Sequence, residues 1–158
     1  MAFSYMAIPG IAPIKHALVR YLRTNAALKA ALPGGIHEGF APPSTKYPFL
    51  TYQVHYAPSR YTWTSLTLEV GFDVFVWTVD SVEADNLDAL VLSTLHDADL
   101  VVDGQSTLIC RRVSSLSLPD TDGEGKKIYQ VGGIYTVWTD QPLPTTETDS
   151  FTAAAVIA

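Results

Sequence analysis

The sequence predicts an α+β domain: a mainly antiparallel or mixed β-sheet, two α-helices packed on one face, and a long C-terminal hairpin. Three observations predict it. Residues 65–77 alternate, with Leu66, Leu68, Val70, Phe72, Val74 and Val76 on one side of an extended chain and Thr67, Glu69, Gly71, Asp73, Phe75 and Trp77 on the other. Two stretches, one opening at Pro13 and one at Asp80, carry apolar residues at helical spacing. Residues 107–118 and 127–138 read as two long strands joined by an acidic, glycine-containing tip. One wholly apolar sheet face asks to be covered, and the two helices are the elements available to cover it.

The elements follow in order. Residues 1–12 read as an N-terminal arm, residues 13–139 as a single domain and residues 140–158 as a C-terminal tail rich in Pro, Thr and Glu. Pro13 suits the first position of a helix, where its missing N–H leaves nothing unsatisfied. Ile14, Ala17, Leu18, Tyr21 and Leu22 form the buried stripe, and His16, Arg20 and Arg23 lie on the polar side. Thr24 or Asn25 caps a short helical stretch, 26–32, which Pro33-Gly34-Gly35 ends. A short strand is expected at 36–38, a Pro-stiffened loop at 39–46 and a strand at 47–56. In that strand Phe49, Thr51, Gln53 and His55 oppose Leu50, Tyr52, Val54 and Tyr56. Residues 57–60 (APSR) read as a turn.

Asp80 and Glu83 form a capping-box-like start to the second helix, whose stripe is Val82, Leu87, Leu90, Val91, Thr94 and Leu95. Residues 100–102 read as a short strand before the turn pair Asp103-Gly104. Gly132-Gly133 suggests a bulge or bend in the last strand.

Charge is divided along the chain. Residues 1–60 hold six basic residues and only Glu38 as an acid, a net of +5; the remainder is net −11. Such a split favours head-to-tail pairing of copies, unless folding mixes the two signs on one surface. The start MAFSYMAIPGIAPIKHAL has no basic leader, and no apolar run approaches the ~20 residues that cross a bilayer. A soluble protein with no membrane contact is expected.

Chemistry-bearing patterns are weak. Asp80, Glu83, Asp85 and Asp88 are ordinary residues for a helix start. His96-Asp97-Ala98-Asp99 lacks metal-ligand spacing, and His16, His37, His55 and His96 are scattered. Cys110 lies in an apolar run, although Arg111 and Arg112 would lower its pKa were it exposed. The stretch 122–127 (DGEGKK) carries acids where a phosphate loop needs none and leads into a strand. No catalytic group, metal or cofactor is expected. Arg60-Tyr61-Thr62-Trp63 has the composition of a protein interface, and less so of a base-stacking surface.

The run TNAALKAAL–PGG–IHEGFAPP–YPFLTYQV after a helix, followed by EVGFDVFVW and SVEADNL, resembles the tail-terminator (tail-completion, head-to-tail joining) proteins of long-tailed bacteriophages. The resemblance covers about residues 13–97 in order and the final hairpin more loosely. It carries no motif transferable position by position. It implies a structural virion protein that forms a six-fold ring at the head-proximal end of the tail and ends tube polymerisation. The implied partners are further copies of itself, the tail tube protein and the head-tail connector protein, with DNA passing through the lumen unbound. Arg20, Arg23, Arg60, Tyr61 and Trp63 are the candidate interface residues. Glu69, Asp73, Asp120, Asp122 and Glu124 are the candidate lumen-facing acids. Another phage neck adaptor or a small protein-binding module is the alternative, and an enzyme using Cys110 a third.

Overall fold

The computed structural model describes residues 10–61 and 65–142. Helix α1 spans Ala12–Thr24, with Pro13 in its first turn. Ile14, Ala17, Leu18 and Leu22 are buried, while Tyr21 is only half-buried. Asn25 separates α1 from the short helix α2, Ala26–Ala31, and its side-chain oxygen accepts a hydrogen bond from Leu28 N at 3.0 Å. That satisfies one of the free amides at a helix start.

Strand β1, Ile36–Glu38, runs parallel to β2, Phe49–Tyr56. All other pairings are antiparallel: β2 with β4 (Ser65–Thr78), β4 with β6 (Lys127–Pro142), and β6 with β5 (Ser106–Thr121). The sheet order is β1-β2-β4-β6-β5. Helix α3, Ser81–Leu95, connects β4 to the hairpin. The fold is therefore α+β with a mixed sheet, as the patterning predicts.

The core lies between the helices and one face of the sheet. Leu66, Leu68, Val70, Phe72, Val74 and Val76 of β4 are all buried, in one cluster with Leu18 and Leu22 of α1 and Leu87, Val91 and Leu95 of α3. Burying each such side chain contributes roughly 1.5–3 kcal/mol before conformational entropy is subtracted. A buried ion pair fixes the hairpin to the helix layer. Both guanidinium nitrogens Nη1 and Nη2 of Arg112 donate to the Asp88 carboxylate, and the guanidinium lies 4.9 Å from the centre of the Tyr135 ring.

Several expectations are corrected. Residues 57–60 are not a simple turn: Ser59–Tyr61 form a sixth strand, β3, which pairs with β4 beyond the point where β2 leaves it. Pro58 only kinks an edge that then resumes. Tyr56 does not share a face with Leu50, Tyr52 and Val54, because a register shift between Val54 and Tyr56 turns it to the other side. There its ring covers Gly71, where a Cβ would collide with it, and its hydroxyl is 2.7 Å from Thr136 Oγ1.

Val82 stands 65% exposed in the first turn of α3, and Ala84 is buried instead, because Asp80 starts the helix in an orientation that turns Val82 outwards. Residues 100–102 form no strand; only Val102 makes an isolated bridge, to Gln105. Gly132 and Gly133 pair without interruption on both sides, and the irregularities lie in β5, between Thr107 and Ile109 and between Arg112 and Ser114. These glycines serve close approach: a Cβ on Gly132 would overlap the Val74 carbonyl, and one on Gly133 the Ser114 carbonyl.

Both hairpin strands exceed their predicted lengths, and β6 continues to Pro142, three residues into the stretch read as a tail. The readings of an N-terminal arm before Gly10 and of a tail after Pro142 fall outside the described residues.

The packing generates a direct prediction. Leu18→Ala, in the middle of the α1 stripe, lowers unfolding free energy by about 2–5 kcal/mol in urea denaturation. Arg20→Ala on the opposite side of the same helix changes it by less than about 0.5 kcal/mol.

Candidate protein interface

Three surfaces carry the residues singled out from the sequence. The first is a groove of about 430 Å³ beside β1, lined by Arg23, Lys29, Leu32, Gly35, Ile36 and His37. Helices α1 and α2 supply its cations, and the α2–β1 turn supplies its floor. Arg23 Nη2 donates to the Ile36 carbonyl at 3.2 Å, capping the outer edge of β1. Glu38, the lone acid of the first sixty residues, is neutralised by Lys15 at 2.6 Å. Among the described residues, no carboxylate lies within ion-pair distance of Arg20, Arg23 or Lys29. The groove is thus apolar inside and positive at its rim.

The second surface is the sheet face without helices. Tyr47, Phe49 and Trp77 form an aromatic row there, with ring centres 5.3 and 6.1 Å apart, and Trp77 Nε1 donates to Thr51 Oγ1 at 2.9 Å. Arg60 reaches this face from β3 and lies 5.8 Å from the centre of the Trp138 ring. Tyr61, next to it, is 68% exposed. Glu69 is half-buried, and its register partner is Trp138. Asp73 is 8% exposed and accepts hydrogen bonds from Gln53 Nε2 at 3.0 Å and His55 Nδ1 at 3.1 Å. Trp63 lies outside the described residues.

The third surface is the hairpin tip. Asp122 Oδ1 accepts from the backbone amides of Glu124 and Lys126, and Asp120 Oδ1 from that of Thr121. These acids therefore shape the turn as well as charging it. Asp120 pairs with Ile128, and Ile128 and Asp122 line a shallow groove with Thr51 and Trp77. Asp120 and Asp122 consequently share the helix-free face with Glu69 and Asp73, and Glu124 sits in the turn between the strands.

The structure separates the candidate interface residues. Arg20 and Arg23 sit on the helix layer, and Arg60 lies on the opposite face. Sequence reasoning passed over Lys29 and His37, which complete the basic groove. The signal for Lys29 was the local excess of cations, which only the folded chain gathers around one cavity.

The residues considered for chemistry are engaged otherwise. Burial pushes the Cys110 thiol up to about 12, and the negative charge of Asp97 adds to the effect. Arg111 and Arg112, whose proximity would favour a thiolate, pair instead with Asp97 and Asp88. The hydrogen bond from Arg111 holds the Asp97 carboxyl below its ordinary value. No group of three or more His, Cys, Asp or Glu residues suited to a metal ion occurs among the described residues. No helix among them is long and apolar enough to cross a membrane.

Comparison with known proteins gives two findings. Residues 16–134 match the family described as tail completion protein gp17. A chain from the solved structure "Virion of native gene transfer agent (GTA) particle" superposes with a TM-score of 0.57 at 16% identity, covering 82% of this chain and 93% of that one. At that identity the likeness is one of fold. No curated protein matches the chain.

The buried thiol yields a pH prediction. Its folded-state pKa is raised, so the stability it contributes is complete below about pH 8 and is lost as pH climbs from about 9 towards 12. Wild type is expected to exceed Cys110→Ala in urea denaturation by about 1–2 kcal/mol at pH 7, and that margin shrinks in alkali. At pH 8 an alkylating reagent modifies Cys110 only after denaturant is added.

Proposed function

Because the chain belongs to the tail completion protein gp17 family and is a structural protein of the phage tail, we propose that it is the tail terminator. In this reading, copies assemble into a ring, six-fold by the family's resemblance, on the head-proximal end of the finished tail tube. The ring blocks further addition of tail tube protein and presents a surface to the head-tail connector. It assembles in the host cytoplasm and remains in the virion. DNA passes through its lumen without specific binding.

The observation that carries this reading is the family match across residues 16–134. Two physical features support it. A closed ring needs a heterologous interface, in which two unlike patches of one molecule meet. The chain supplies unlike patches, with Arg20 and Arg23 on α1 and acids on α3 and at the hairpin tip, while Arg60 and Tyr61, at the end of the sheet away from that tip, extend the docking surface towards neck or tube partners. A lumen must also let a polyanion slide. Glu69, Asp73, Asp120, Asp122 and Glu124 belong to the helix-free face and the hairpin tip, and turning that side inwards gives a lining that repels phosphate.

Light scattering of the purified protein, followed by negative-stain images with and without tail tubes, tests the proposal. Collars at one end of each tube, and tubes that stop growing at the collared end, are the expected result. A protein that ignores tube ends, or that binds only the head connector, would overturn the terminator assignment and favour a head-side neck adaptor.

A further inference from the structure

Resting on the ring reading, we propose that the basic groove beside β1 receives residues 147–151 (Glu-Thr-Asp-Ser-Phe) of a second copy, so that each subunit holds the C-terminal segment of its neighbour. The groove and the segment match in chemistry. An apolar cavity of about 430 Å³ walled by Leu32 and Ile36 accommodates the Phe151 ring, and the rim cations Arg23 and Lys29 face Glu147 and Asp149. Neither cation has a carboxylate partner among the described residues, and the one acid nearby, Glu38, is already taken by Lys15. An aromatic anchor in a pocket with charges around it is the arrangement that concentrates binding energy.

Chain length identifies the donor as another copy. The described chain ends at Pro142, at the far end of the sheet from the groove. Gln141 is level with Leu66, whereas Ile36 is level with Leu50 and therefore with Val76. From Leu66 to Val76 the strand rises about 33 Å, and three strand spacings between β6 and β1 add about 14 Å sideways, a diagonal of about 36 Å. Residues 143–147 span at most about 18 Å and residues 143–151 about 32 Å, even fully extended. The path must also pass around the domain. The segment therefore falls short of its own groove. A donor segment on one corner and an acceptor groove on the opposite corner make a heterologous, propagating contact, as ring closure requires.

A fluorescent peptide of residues 143–153, titrated into the full-length protein, tests this by anisotropy. Saturable binding is expected, weakening as salt rises. Lys29→Glu, on an exposed helical position, is expected to weaken it about fivefold or more. Arg23→Glu adds to the loss, with circular dichroism checking that the fold survives removal of the Ile36 contact. A peptide carrying Glu147→Lys and Asp149→Lys should fail on wild type and regain affinity for the Lys29→Glu protein. Equal binding of the peptide to wild type and Lys29→Glu, or no binding at all, overturns the proposal. Its failure is distinct from that of the terminator reading: Lys29→Glu protein that still collars tube ends sinks only the groove contact, and peptide binding without collaring sinks only the terminator.

Discussion

Everything in this fold depends on the strict alternation of β4. Its even-numbered residues from Leu66 to Val76 are buried under the helices, and its odd-numbered residues form the middle of the other face. A slip of one residue would exchange the two sets completely. β4 has partners along both of its edges over most of its length, with β2 and β3 on one side and β6 on the other. It therefore sets the register of its neighbours. Leu50, Tyr52 and Val54 reach the core because they pair with Val76, Val74 and Phe72, and Tyr135 and Val137 reach it because they pair with Phe72 and Val70. The positions of Glu69, Asp73 and Arg60 on the helix-free face follow from the same constraint.

What was legible in the sequence was what depends on near neighbours. The α1 stripe, the Asn25 cap, the short strand after Gly35 and the alternation of β4 are encoded by residues within a few positions of one another. Features decided by distant contacts were not legible. β3 hides behind Pro58 because its pairing partner, Leu66 to Leu68, is supplied across the sheet. The role of Gly132 depends on the Val74 carbonyl, and that of Gly71 on the ring of Tyr56. The Arg112–Asp88 pair joins residues 24 positions apart, so the proximity of Arg112 to Cys110 along the chain suggested the wrong partner. The basic groove belongs to the same class, since its lining comes from two helices and a strand.

The charge split survives folding in part. Local pairing removes several groups from the account: Lys15 with Glu38, Arg111 with Asp97, and Arg112 with Asp88. These pairs hold elements together and leave little field outside. What remains unpaired beside β1 is positive, while the start of α3 keeps Asp80, Glu83 and Asp85, and acids outnumber cations on the hairpin tip. Folding thus converts a difference along the chain into a difference between surfaces, the form in which charge guides association.

The acids of the helix-free face do not act alike in such an assembly. Asp73 is buried, and its carboxylate accepts from Gln53 and His55, so it fixes β2 against β4 from beneath the surface of that face. Asp122 is tied into its own turn, although its second oxygen has no hydrogen bond within the turn. Glu69 and Glu124 have no ion-pair partner among the described residues. A lining that repels DNA needs exposed charges close to the duplex, because the field in an aqueous lumen fades over a Debye length of about 8 Å. In the proposed ring, Glu69 and the hairpin-tip acids are the groups that would keep a passing duplex from sticking, and Asp73 belongs with the residues that build the sheet beneath them.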